Sequence, residues 1–262
     1  MSRIAKAFAT ASGEERAAFV PFLTAGFPDS DGFLRHAAEL LELADLLEVG
    51  LPFSDPLGDG PTIQQASEVA LSQGVSTATT FDLVGELRAT TDKPLVIMTY
   101  YNPIYCYPTG ESGFVADVRK AGADGLILPD LPPDEAESLC ATAREVGLDT
   151  VFLVAPTSTE ARLAKVTAAC RGFVYAVSVT GVTGERSELP PEVPDLVRRT
   201  RRVTDLPVAV GFGVSNAETA QPVAAVADGV VVGSALIRAI QERSSVRELA
   251  VEIVEACRRP TG

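Results

Sequence analysis

The chain is poor in the residues from which most nucleophilic and metal sites are built. Its 262 residues include one histidine, His36, and four cysteines (Cys106, Cys140, Cys170 and Cys257), none of them in a C-x-x-C pair. A Ser-His-Asp triad or a histidine-based metal site would have to rest on His36 alone. That residue falls in the helical pattern "GFLRHAAELLELA" and reads as a helix-surface side chain. The cysteines are too scattered for a disulfide frame or zinc site and read as reduced, mostly buried small apolar residues. No uncharged apolar run reaches about 18 residues, so no membrane-spanning helix is expected. The start, "MSRIAKAFATASGEER", is charged where a secretory signal needs its apolar region, so the expected location is cytoplasmic. Positive charge is also scarce: 22 Lys and Arg stand against 35 Asp and Glu, a formal net charge of −13. That balance argues against binding nucleic acid or an anionic membrane. An anionic small substrate is still compatible, because main-chain N–H groups at a helix start can outweigh global charge.

What the chain has in quantity is apolar material, 46% of its residues, in a repeating rhythm. Short apolar or β-branched runs at 18–25, 46–50, 94–100, 125–130, 150–156, 172–179, 207–213 and 229–234 predict eight strands. Between them lie amphipathic stretches such as "DGFLRHAAELLEL", "TIQQASEVALSQG" and "TEARLAKVTAAC". Gly122 and Gly147 stand where helix C-caps belong. Apolar strands alternating with helices indicate a parallel sheet covered on its outer side. Eight such units in about 250 residues fit a closed (β/α)8 TIM barrel, an α/β fold. An open doubly wound sheet would want G-x-G-x-x-G after its first strand, and "AFVPFLTAGFPDSDG" lacks it. No linker or low-complexity segment divides the chain, so residues 1–262 are expected to form one domain.

Barrels of this kind place their chemistry at the C-terminal ends of the strands. The second strand, "LLEVG", turns Leu46, Glu48 and Gly50 to one face and Leu47 and Val49 to the other. An inward Glu48 sits in the barrel mouth, where burial raises a carboxyl pKa toward neutrality and suits it to take and give a proton. The bland alternative is a structural Glu paired with a buried cation, but no predicted strand interior contains Lys or Arg. The following "PFSDPLGDGPTIQ" is stiffened by Pro and turned by Gly. Asp55 suits an Asx turn or N-cap. Asp59, between two glycines and just ahead of a helix, is placed to accept a substrate N–H or O–H.

Glycine recurs after the last two strands. "VAVGFGVSNAE" ends strand seven with Gly211, Phe212 and Gly213, then opens a helix at Ser215 or Asn216; "DGVVVGSALIRAI" ends strand eight with Gly233 and Ser234. Bare N–H groups leading into helix starts at these two positions suit a phosphate site, where the helix dipole favours an anion. The alternative is a pair of ordinary tight βα turns. "SVTGVTGER" (178–186), with Gly181 and Gly184, offers a loop to close over a ligand.

The block Glu48–Gln64, with "AFVPFLTAGFP" (18–28), "GVTG" (181–184), "GFGVS" (211–215) and "VGSAL" (232–236), resembles the tryptophan synthase α-subunit family in order and spacing. The resemblance covers essentially the whole chain. It implies a lyase that cleaves indole-3-glycerol phosphate to indole and glyceraldehyde 3-phosphate by a retro-aldol reaction. Glu48 matches the family's acid/base, and Asp59 the carboxylate that holds the indole N–H. Gly184, Gly211, Phe212, Gly213, Gly233 and Ser234 match the phosphate site. Phe22, Tyr100, Ile127, Leu153 and Tyr175 match the indole pocket, for which plain barrel core is the alternative, and Thr183 matches the closing-loop residue that orients Asp59. The chain departs from some members at Val179 and Thr180, where they carry Arg and Ala, so no charge contact is carried over from that loop.

The resemblance further implies no metal and no cofactor on this chain. Pyridoxal phosphate is expected only in a partner, the tryptophan synthase β subunit, in an α2β2 assembly. Residues 53–61 and "YYNPIYCYPTG" (100–110), aromatic, Pro-rich and poorly helical, match the docking regions. The competing readings are a stand-alone indole-3-glycerol phosphate lyase releasing free indole, a silent scaffolding barrel and a different sugar-phosphate enzyme on the same fold. Retention of both Glu48 and Asp59 argues against the silent barrel.

Overall fold

Eight parallel strands close in sequence order into a barrel in the computed structural model: β1 (Ala18–Thr24), β2 (Leu47–Gly50), β3 (Leu95–Met98), β4 (Gly125–Leu128), β5 (Asp149–Val154), β6 (Val174–Val177), β7 (Val208–Gly211) and β8 (Gly229–Val232). The structure describes residues 1–177, 189–211 and 213–259. Closure falls between β1 and β8, with Ala18 opposite Gly229 and Pro21 opposite Val232. Every strand lies within the span expected for it or begins one residue earlier, because each is an apolar run too short for a helix and buried on both faces.

The helices among the described residues are α1 (Arg3–Gly13), α2 (Ser30–Leu43), α3 (Pro61–Ser72), α4 (Thr77–Arg88), α5 (Tyr101–Tyr105), α6 (Gly110–Lys120), α7 (Glu137–Glu145), α8 (Glu160–Ala169), α9 (Glu192–Arg201), α10 (Ala217–Val226), α11 (Ser234–Gln241) and α12 (Val246–Ala256). Their limits follow local chemistry. The Asp29 side chain accepts the Gly32 N–H at 2.7 Å and starts α2. Gly122 and Gly147, at φ +95° and +75°, follow α6 and α7 in the left-handed conformation that ends a helix. The 100–110 segment is more regular than expected: it holds the single turn α5 before α6. The turn starts at Tyr101, whose N–H is accepted by the Asp130 carboxylate at 2.9 and 3.1 Å.

Strand alternation sorts the core into two clusters. Leu47 and Val49 pack outward under the helices, while Leu46 joins Val96, Ile127, Val151, Phe173 and Val231 inside the barrel. Helix α1 seals the bottom of that interior through Ile4, Phe8 and Ala11. Gly229 makes room for it, since a β-carbon there would lie 2.9 Å from a Phe8 ring carbon. Sequence periodicity did not reveal this plug, because "RIAKAFATASG" was legible only as a charged start.

The bottom is also stapled by charge. An Ala-Asp pair precedes β2, β4 and β8. Asp45 accepts from Arg16 at 2.6 and 2.8 Å and from the Phe19 N–H at 2.8 Å. Asp124 receives Arg3 at 3.0 Å, Arg88 at 2.7 Å and the Leu95 N–H at 3.1 Å. Asp228 receives Arg201 at 2.8 Å and the Val208 N–H at 2.9 Å. Each carboxylate thus ties the start of a neighbouring strand to an arginine, and these charge-assisted bonds leave the opposite rim free for chemistry.

Candidate active site

Glu48 lies at the centre of β2, with Phe22 of β1 and Val96 of β3 opposite it in register. It is wholly buried, and neither carboxylate oxygen has a hydrogen-bond partner among the described residues. None of the eight strands contains Lys, Arg or His, so the cation a structural Glu would need is missing from the barrel wall. Burial alone pushes the Glu48 carboxyl well above its ordinary value. A neutral carboxylic acid is what this wall accommodates.

Asp59 comes from the loop joining β2 to α3. Its carboxyl is pushed up to about 6, by burial first, against a lowering by the Tyr100 hydroxyl. The loop is folded on itself, with the Asp59 N–H donating to the Pro56 carbonyl at 3.0 Å and the Leu57 N–H to the Asp55 carbonyl at 2.9 Å. Asp55 points the other way: it is exposed and accepts the Ser54 hydroxyl at 2.6 Å, in keeping with turn chemistry. Tyr175 links the two candidate carboxylates. Burial, then the charges of Glu48 and Asp59, hold its phenol well above its ordinary pKa. Both acids therefore lie within electrostatic reach of one ring inside the mouth.

The glycine loops after β7 and β8 differ from one another. Helix α10 starts at Ala217, one or two residues later than expected, and caps itself. The Asn216 side chain accepts the Thr219 N–H at 3.0 Å, while the Thr219 hydroxyl accepts the N–H groups of Ser215 at 2.9 Å and Asn216 at 3.2 Å. Helix α11 has Gly233 as its N-cap and no side-chain cap, so its first-turn N–H groups remain available to an anion. Gly213, at φ +45°, turns the β7 loop. Gly211 packs on Tyr175, with which any β-carbon would collide. Of these two helix starts, only that of α11 is left without a side-chain cap and open to an anion. Phe212, Thr183 and Gly184 lie outside the described residues, as does the 178–186 loop.

Phe22 and Tyr100 border a small cavity of about 10 Å³ at the mouth, together with Asp59. Leu153 is partly buried against the barrel-interior cluster, and Ile127 is wholly buried within it. Thr24, Met98 and Thr99 also line the cavity. Sequence reasoning missed them, although their signal was present: Thr24 and Thr99 are polar residues at the C-terminal ends of apolar runs. The Thr24 hydroxyl is buried without a partner among the described residues. Outside the barrel, the segments 51–54 and 103–109 border a larger groove of about 630 Å³. Cys106 lines it and is exposed, whereas Cys170 and Cys257 are buried as expected. His36 lies on α2 with its side chain 17% exposed, 3.7 Å from Glu39 and separate from the mouth.

The barrel and its sequence recur in known proteins. The family described as "Tryptophan synthase alpha chain" matches residues 8–260. The tryptophan synthase alpha chain of Deinococcus radiodurans is 54% identical over 260 residues, covering 99% of this chain and 96% of its own length. That of Geotalea uraniireducens is 49% identical over 243 residues, covering 92% and 90%. Among solved structures, Mycobacterium tuberculosis tryptophan synthase aligns with a TM-score of 0.92 at 43% identity, covering 98% of this chain and 99% of that one. The tryptophan synthase complex from Pyrococcus furiosus aligns with a TM-score of 0.84 at 38% identity, covering 92% and 99%. Fold, order of motifs and near-complete coverage agree, and the chain belongs to the tryptophan synthase alpha chain family.

Proposed function

We propose that this alpha chain, a lyase of L-tryptophan biosynthesis, cleaves indole-3-glycerol phosphate with Glu48 as acid/base and Asp59 as the carboxylate on the indole N–H. The products are indole and glyceraldehyde 3-phosphate. The main support is the pairing of two carboxyl groups at one rim: Glu48 is buried without a cation and held well above its ordinary value, and Asp59 is pushed up to about 6. Burial favours the protonated form of Glu48, which enters the cycle as the acid, while Asp59, pushed up to about 6, is ionised at neutral pH. Glu48 gives its proton to indole C3, and Asp59 offsets the positive charge that develops on the ring nitrogen. The Glu48 carboxylate then takes the proton of the glycerol 3′-hydroxyl. The C–C bond breaks, its electrons return to the ring, the aldehyde departs, and Glu48 holds its original proton. The ring is the electron sink, so the chain needs no cofactor of its own for this sequence. The phosphate rests against Gly211, Gly213, Gly233 and Ser234, with Gly184 and Phe212 completing the site. Phe22, Tyr100, Ile127, Leu153 and Tyr175 surround the indole, and Thr183 orients Asp59.

An alpha chain has a β-subunit partner. In our reading the assembly is an α2β2 tetramer with pyridoxal phosphate held by the β subunit. Docking through 53–61 and 100–110 is supported by Leu57 and Tyr105, large apolar side chains 94% and 74% exposed on those segments. One domain spans residues 1–262, and the protein works in the cytoplasm. A charge of −13 favours solubility, and among the described residues no helix is long and apolar enough to cross a membrane.

The test is indole release from indole-3-glycerol phosphate by the pure chain, with and without a β subunit. Slow release that rises on adding the partner is the expected result. Fast release unmoved by the partner would instead identify a stand-alone lyase. No release in either tube would refute the assignment of substrate.

A further inference from the structure

Asp59 sits at the tip of a Gly- and Pro-rich loop, which by itself does not fix where a carboxylate points. The structure pins the backbone on both sides of it. On one side, the Gly58 N–H donates to the Tyr100 hydroxyl at 2.9 Å. On the other, Gln64 in the first turn of α3 donates from Nε2 to the Asp59 carbonyl at 2.9 Å and to the Pro56 carbonyl at 3.4 Å. Both acceptors are carbonyl oxygens, so only the NH2 end of Gln64 can face them. Tyr100 is held in turn by the Phe53 ring, 5.4 Å away centre to centre. The carboxylate of Asp130 supports it further by accepting the next residue's N–H. Because the Tyr100 oxygen already accepts from Gly58, its own proton is available for the Asp59 carboxylate.

We propose that Tyr100 and Gln64 are positioning residues, a two-point clamp from the segment between β3 and α5 and from α3 that aims Asp59 at the substrate. The clamp rests on the role of Asp59 proposed above and deepens it. Tyr100 acts through the Gly58 N–H and the carboxylate itself, whereas Gln64 acts only through the main chain. Their loss therefore has different signatures. Tyr100→Phe keeps the ring and its packing but removes the hydroxyl that favours ionised Asp59, so the acid limb of the rate profile moves to higher pH. Gln64→Met keeps the length and helix propensity and leaves that limb in place. Each is expected to lower kcat about tenfold while KM changes little, since a misaimed carboxylate is felt most as charge develops.

The experiment measures kcat, KM and pH profiles for indole release by the full chain with its β subunit. The variants are Tyr100→Phe, Gln64→Met, and the same two changes combined with Asp59→Asn. The clamp predicts that neither change lowers the rate further once Asp59 is Asn. Wild-type kcat in both single variants, or an equal loss in the Asp59→Asn background, would overturn it. Amide hydrogen exchange across 56–62 supplies a readout that does not depend on turnover: Tyr100→Phe must speed exchange at Gly58, and unchanged protection there would refute the tether. A wild-type chain that releases no indole while the exchange result holds would sink the substrate assignment and leave the clamp standing.

Discussion

Replacing Glu48 with Gln should make the protein more stable while removing nearly all of its turnover. Glu48 is fully buried, its carboxylate oxygens have no partner among the described residues, and burial lifts its folded-state pKa well above the ordinary value of 4.5. The unfolded chain loses this proton near that ordinary value, while the native state keeps it. Stability from this group is therefore fully present below about 4.5 and is lost as pH rises toward the folded value. While Glu48 remains protonated, each pH unit above that point costs the wild type about 1.4 kcal/mol relative to a side chain that does not titrate. Gln has the same shape and no proton to lose, so its advantage should grow across the window from about pH 5 to about pH 7, at no more than that rate. Urea unfolding of both proteins at three pH values in that window measures the slope directly, and indole release is followed on the same samples. Parallel stability curves would show that Glu48 is ionised or partnered in the fold, removing the basis for a resting acid. Near-normal turnover by Glu48→Gln would end its assignment as acid/base.

In its proposed role on the ring N–H Asp59 must be ionised, so wild-type kcat/KM should fall as pH drops through about 6 and hold above it. Asp59→Asn should be crippled at every pH and show no such limb, and a normal rate would return Asp59 to turn chemistry. Phe8→Ala removes a ring that is 3% exposed in the bottom plug and should cost about 3–5 kcal/mol in urea unfolding, with kcat per folded molecule unchanged. A loss of turnover without a loss of stability would show that α1 reaches the active rim. Gly213→Ala forces a side chain into φ +45°, where no atom lies within 4 Å of the new β-carbon. It should cost about 1 kcal/mol in stability and raise KM rather than lower kcat. An unchanged KM would remove Gly213 from the phosphate site.

The barrel was legible because its strands are apolar on both faces. "LLEVG" and "GVVVGS" admit almost no alternative, and Glu48 stood out as the one charge inside such a run. What escaped was whatever depends on contacts distant in sequence. Helix α1 read only as a charged start because Ile4 and Phe8 gain meaning only beside Gly125 and Gly229, which leave space for them. The helix opening at Ser215 or Asn216 was misread by one or two residues, because Thr219 reaches back to bond both N–H groups. Gln64 carried no sequence signal at all. A glutamine in a first helical turn is unremarkable until the carbonyl of Asp59 is seen 2.9 Å from its amide.

The two ends of the barrel divide the work by how they treat charge. At the bottom, Asp45, Asp124 and Asp228 each meet an arginine and a strand N–H, so their charges are satisfied and hold the strands in register. At the top, the Glu48 oxygens have no partner among the described residues and Asp59 is pushed up to about 6. A carboxylate paired with an arginine is held in its charged form, because its partner opposes every proton it takes. An unpaired, buried one can change protonation, at the expense of the stability that the bottom network and the α1 plug supply. The absence of cations from the strands is therefore a requirement of the proposed chemistry: an arginine introduced beside Glu48 would stabilise its charged form and remove the acid with which the proposed cycle begins.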